Sequence, residues 1–123
     1  MINFAEEFKN RTKKFAIDAI IYCKSLPKSD ETFIIKKQLI RSATSVAANY
    51  RAVCRARSDA EFFSKLSIVV EEADESVFWI ELIKDSDILN NKETITLLNE
   101  AIEILKIVSK SRKTLKDKKL IIQ

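Results

Sequence analysis

The chain has 123 residues, 46% hydrophobic and 33% charged, with 22 Lys and Arg against 18 Asp and Glu for a formal net charge of +4. Its isoelectric point lies near 9.1. This length suits one domain rather than two independent cores; the absence of glycine and histidine, with a single proline, excludes a glycine-rich phosphate loop and histidine chemistry and leaves nearly continuous helix.

The expected order is four helices, over about residues 3–25, 31–57, 59–85 and 92–118, joined by three short connections. In the first, Phe4, Phe8, Phe15, Ala19 and Tyr22 recur at helical spacing until "SLPKSD", where Pro27 cannot extend a helix and Ser29 or Asp30 can cap the next. The second places Leu39, Ala43, Val46, Tyr50 and Val53 on one face and is expected to run to Arg57. Ser58 opens "SDAE", whose serine and Glu61 fit a reciprocal capping box. The third helix then carries Phe63, Leu66, Val70, Ala73, Val77 and Ile80 inward. Asn90 and Glu93 offer a weaker cap for the fourth, whose inward face is read as Ile95, Leu98, Ile102 and Leu105, widened by Leu97, Ala101, Ile104 and Val108. Four amphipathic helices with short links predict an all-α, up-down-up-down antiparallel four-helix bundle in a single domain.

Several function classes are set aside. No stretch approaches the ~20 apolar residues that span a bilayer, and the start, "MINFAEEFKN", lacks a signal-peptide core, so a cytoplasmic location with no membrane partner is expected. Cys23 and Cys54 have no metal-ligand spacing and are expected to be free, largely buried thiols. Glu71, Glu72, Asp74 and Glu75 fan out around a helix with no histidine to complete a di-metal site, so neither catalysis, a metal nor a cofactor is expected.

The faces opposite the core stripes carry more information. On the second helix that face holds Lys37, Arg41, Thr44, Ala48, Arg51 and Arg55; on the third it holds Ile68, Glu71, Glu75, Phe78 and Leu82. Charge is segregated accordingly, with no acid between Phe33 and Arg57 and eight acids to two bases from Asp59 to Asp85. The two seams could pair within one subunit, or between copies in a head-to-tail contact that closes into a ring. The second arrangement is the expectation, because it gives Phe78 and Leu82 an apolar partner; the competing reading leaves them as ordinary surface residues. The expected oligomer interface is therefore Lys37, Arg41, Arg51, Arg55, Ile68, Glu71, Glu75, Phe78 and Leu82. Arg57 is expected to reach the last carbonyls of its helix or a neighbouring acid, and Trp79 to use its indole N–H on a nearby oxygen.

The segment "QLIRSATSVAANYRAVCRARSDAEFFSKLSIVVEEADESVFWIELI", Gln38 to Ile83, resembles the four-helix bundle proteins first described from reading frames in intervening sequences of 23S ribosomal RNA genes, through the motifs "SVAANYRAVCRARS" and "EEADESVFW". Some relatives carry "AEG" where this chain continues "RAVCRARS", so the likeness is to the glycine-free branch. The resemblance implies a left-handed bundle, commonly a homopentamer with a central channel. One relative, an accessory protein of diversity-generating retroelements, binds nucleic acid and partners a reverse transcriptase. Transferred as an expectation, this makes RNA or DNA and a protein partner the candidate ligands. The chain's own support is its tail, where Lys106, Lys110, Arg112, Lys113, Lys116, Lys118 and Lys119 face only Asp117; these are the candidate nucleic-acid contacts, backbone-directed and salt-sensitive. A solvated helix terminus is the plainer reading of the same lysines. The sequence thus predicts a non-catalytic oligomeric bundle binding nucleic-acid backbone, with a structural or adaptor oligomer as the alternative.

Overall fold

A computed structural model describes the backbone of residues 3–122 and the side chains of residues 3–118. Its helices are α1 (Phe4–Lys24), α2 (Asp30–Val53), α3 (Asp59–Asp85) and α4 (Lys92–Ile122). Each packs on its two neighbours in ring order, α1 against α2 and α4, α3 against α2 and α4. The α1–α4 contacts fix an antiparallel register, since Arg11 meets Glu100 while Tyr22, further along α1, meets the earlier Thr94. This is the up-down-up-down four-helix bundle that the spacing predicts.

Side-chain caps start the helices. Asn3 accepts the amide of Glu6, Ser29 that of Thr32 and Ser58 that of Glu61, each satisfying a donor with no partner inside its helix. At α4 the expected Asn90–Glu93 pair gives way to Asn91, whose Oδ1 accepts the Thr94 amide at 2.9 Å while Thr94 Oγ1 accepts the Asn91 amide at 3.4 Å. The α3 terminus needs a left-handed residue and the chain has no glycine to supply it. Asp87 takes φ 59° instead, and the Ile88 and Asp87 amides then reach the Ile83 and Lys84 carbonyls. That pair of bonds is a Schellman closure, and Ile88 packs onto the core beside it.

Four expectations are corrected. Helix α2 stops at Val53, a turn before Arg57: the Arg55 and Ala56 amides fold back on the Ala52 and Val53 carbonyls, and Ser58 must be extended to cap α3. Phe4 is exposed, stacked on Phe8 at 5.6 Å between ring centroids, because the first turn of α1 overhangs the end of the core. On α4 the buried stripe is Leu97, Ala101, Ile104 and Val108, with Leu98, Ile102 and Leu105 half-buried beside it and Ile95 exposed. Both stripes have helical period, and only the position of α1 and α3 decides which points inward. Cys54, finally, is exposed, since it lies in the turn after α2; Cys23 is buried as expected.

Burial pushes the Cys23 thiol up to about 11 and the Tyr50 phenol up to about 12. Both groups are neutral when protonated, so the folded state retains protons that the unfolded chain releases. Their contribution is complete below about pH 9 and is lost as pH climbs through 11 and 12. Denaturant titrations at rising pH should show stability falling by an order of 2 kcal/mol per group across that range. Cys23→Ala should flatten the first part of the decline; an unchanged slope would acquit the thiol.

Candidate nucleic-acid interface

The basic tail is built on the C-terminal half of α4. Val108 is the last buried residue among those described on this helix, yet α4 continues to Ile122, roughly 20 Å further at helical rise. Lys106, Lys110, Lys113, Lys116 and Lys118 are exposed and Arg112 is half-buried. None of the six has an ion-pair or hydrogen-bond partner among the described residues. The Lys119 side chain lies outside the described residues. Spacing puts Lys106, Lys110 and Lys113 on one side of the helix, while Arg112 and Lys116 lie nearer the bundle axis.

A second basic feature lies between α1 and α2. A groove of about 550 Å³ is floored by Ala16, Thr44, Ala47 and Ala48, with Glu6, Lys9, Asn10 and Lys13 on its α1 rim and Arg51 and Arg55 on the other. Lys9 is tied to Glu6 at 3.0 Å. Lys13, Arg51 and Arg55 have no charged or hydrogen-bonding partner among the described residues. The outward seam expected on the second helix is therefore divided. Its Thr44–Arg55 half lines this groove; Arg41 turns to α3, where its two terminal nitrogens bind Glu72, at 3.1 Å, and Glu75. Lys37 lies over the Phe33 ring at 5.7 Å. The Arg41 guanidinium holds the Glu75 carboxyl below the usual range, and the Trp79 indole N–H donates to the same carboxylate at 3.3 Å. Beneath this surface network, Ser42 and Ser76 hydroxyls meet at 3.0 Å in the core between the same two helices.

The remaining interface candidates lie on the outer side of α3. Glu71 and Phe78 are exposed, the latter 53% so, and Ile68 and Leu82 are half-buried. Glu71 has no cationic partner among the described residues, whereas Glu75 is committed to Arg41. Arg57 Nε comes within 4.0 Å of Glu61, the neighbouring acid, across the turn into α3.

Sequence reasoning missed the contribution of α1. Lys9 and Lys13 sit one turn apart on the face away from Phe8 and Phe15, a signal present in the spacing but meaningful only once α2 lies alongside. It also missed the Arg11–Glu100 clamp, where Nε and Nη2 bind the two carboxylate oxygens at 2.9 and 2.7 Å and tie α1 to α4. Among the described residues no cluster of His, Cys, Asp or Glu could hold a metal ion, and no helix is long and apolar enough to cross a membrane.

The family profile of the 23S rRNA-intervening sequence protein matches residues 6–110. The chain belongs to this family. A crystal structure of a protein of unknown function from the S23 ribosomal protein family of Bacteroides thetaiotaomicron is similar to it, at 31% identity and a TM-score of 0.78, over 85% of this chain and 97% of that one. No curated protein matches. The family match takes in both motifs, "SVAANYRAVCRARS" and "EEADESVFW", and the whole α1–α2 groove, but it stops at Lys110. Arg112, Lys113, Lys116 and Lys118 therefore extend beyond the segment that this chain shares with the family profile.

Proposed function

We propose that this 23S rRNA-intervening sequence family protein is a non-catalytic accessory that binds the phosphate backbone of RNA or DNA through the basic end of its bundle, in the cytoplasm. The observation that carries this reading is the overhanging C-terminal part of α4, where five cations lack a partner among the described residues on a helix that outlasts its core by roughly 20 Å. A solvated terminus needs neither that length nor that density of one sign, whereas a polyanion is attracted by both. Gel-shift titrations across a salt series test the reading. Binding that weakens steeply with salt supports it; no shift even at low salt removes it.

The outer face of α3 favours a second reading, a self-associating adaptor. Phe78 is 53% exposed beside Leu82, with Glu71 about two turns back, a mixed apolar and acidic strip that suits burial against another copy. Changing Phe78 and Leu82 together to Ser should preserve helicity by circular dichroism and lower the mass seen in light scattering. An unchanged mass would sink the contact.

A further inference from the structure

The geometry points to the α1–α2 groove as a seat for a single nucleic-acid strand, with Lys13, Arg51 and Arg55 holding its phosphates. This rests on the backbone-binding reading above and adds a site to it.

The first argument is where the chain spends its acids. Among the described residues Lys9, Arg11, Lys14, Arg41, Arg57 and Lys84 each have a carboxylate within 4.0 Å. Lys13, Arg51 and Arg55 have none, as is true of Lys24, Lys28, Lys36 and Lys65 elsewhere on the bundle, but these three share one groove, whose single acid, Glu6, is held by Lys9. The second argument is shape. The floor is Ala16, Thr44, Ala47 and Ala48, so no large side chain stands between the cationic rims. Two helices packed at an axial distance of about 8–10 Å leave a shallow, narrow channel on their surface, which one extended strand can follow along its length and a rigid duplex can only cross. Rim positions one turn apart are spaced by about 5–6 Å, so successive phosphates can find successive cations. Guanidinium groups add bidentate recognition of phosphate oxygens.

Position supplies the third argument. Arg55 lies in the turn just beyond Cys54, and Cys54 shares the end hollow of the bundle with Ser111, at the root of the basic α4 extension. Groove and extension thus meet at one end of the molecule, and a flexible polyanion can occupy both. The acidic strip of a second copy is the other candidate occupant. It presents a few fixed carboxylates, and Glu75 among them is already held by Arg41.

The test compares the wild-type chain with K13Q/R51Q/R55Q, using one fluorescent oligonucleotide sequence as single-stranded RNA, single-stranded DNA and duplex, over a salt series. Single-strand binding falls with salt at about 0.7 log units per decade for each phosphate contact. Loss of three contacts should reduce that slope by about 2 and weaken binding about a hundredfold at 0.1 M salt, for both single strands and much less for the duplex. Ala48→Glu, which adds a carboxylate to the floor, should weaken binding while Ala48→Gln does not. This second pair keeps the test valid should the triple variant fold poorly. Wild-type binding with an unchanged affinity and slope in K13Q/R51Q/R55Q and in Ala48→Glu overturns the groove while leaving the basic α4 extension in place. No wild-type binding overturns both. A drop in light-scattering mass in these variants, with oligonucleotide affinity retained, assigns the groove to a second copy and overturns the strand assignment.

Discussion

Phe15→Ala should destabilise the protein by about 3–5 kcal/mol, the range for emptying a buried aromatic site, against a total of order 5–15 kcal/mol for a domain. Phe15 is 2% exposed and belongs to the continuous core contributed by all four helices. Its removal leaves a cavity between elements whose helical caps and surface pairs cannot move to fill it. Phe4→Ala is the matched control on the same helix. Phe4 is exposed and offers chiefly its stacking on Phe8, so its loss should cost about 1 kcal/mol or less. Urea denaturation midpoints compare the two directly. Equal costs would mean that the bundle is not organised around the buried stripe described above.

Neutralising Lys110, Lys113 and Lys116 to Gln should weaken nucleic-acid binding about a hundredfold at 0.1 M salt and reduce the salt slope by about 2, if each contacts one phosphate of a single strand. All three are exposed and without partners among the described residues, so the substitutions remove no internal interaction. Thermal stability should change little, since surface changes away from caps and pairs stay within about 0.5 kcal/mol. The same gel-shift series reads the result. Retained affinity and slope would return these lysines to the role of a solvated helix end. Changing the groove and the extension separately, then together, shows whether one strand spans both, because contacts on one ligand lose affinity cumulatively.

Helix number, type and order were legible in the chain, as were the caps at Ser29 and Ser58, because these depend on periodicity and on residues three apart. Leu39, Ala43, Val46, Tyr50 and Val53 declare their face unambiguously, since the opposite row of Lys37, Arg41, Thr44, Ala48, Arg51 and Arg55 holds no large apolar residue. The fourth helix does not. Ile95, Leu98, Ile102 and Leu105 compete with Leu97, Ala101, Ile104 and Val108, and a single strand of sequence holds no information that ranks two apolar stripes of the same period. Complementary seams on helices two and three were legible too. What spacing could not reveal is that Arg41 leaves its row to bind Glu72 and Glu75 in the same chain, while Arg51 and Arg55 stay unpaired and gain Lys13 from α1.

The sequence by itself determined an all-helical chain with four apolar stripes, sharply separated charge and a basic end, because each of these is a local property of neighbouring residues. Only the tertiary structure decided which stripe of α4 faces the core and which cations share a groove, because those depend on distances between helices that lie far apart along the chain.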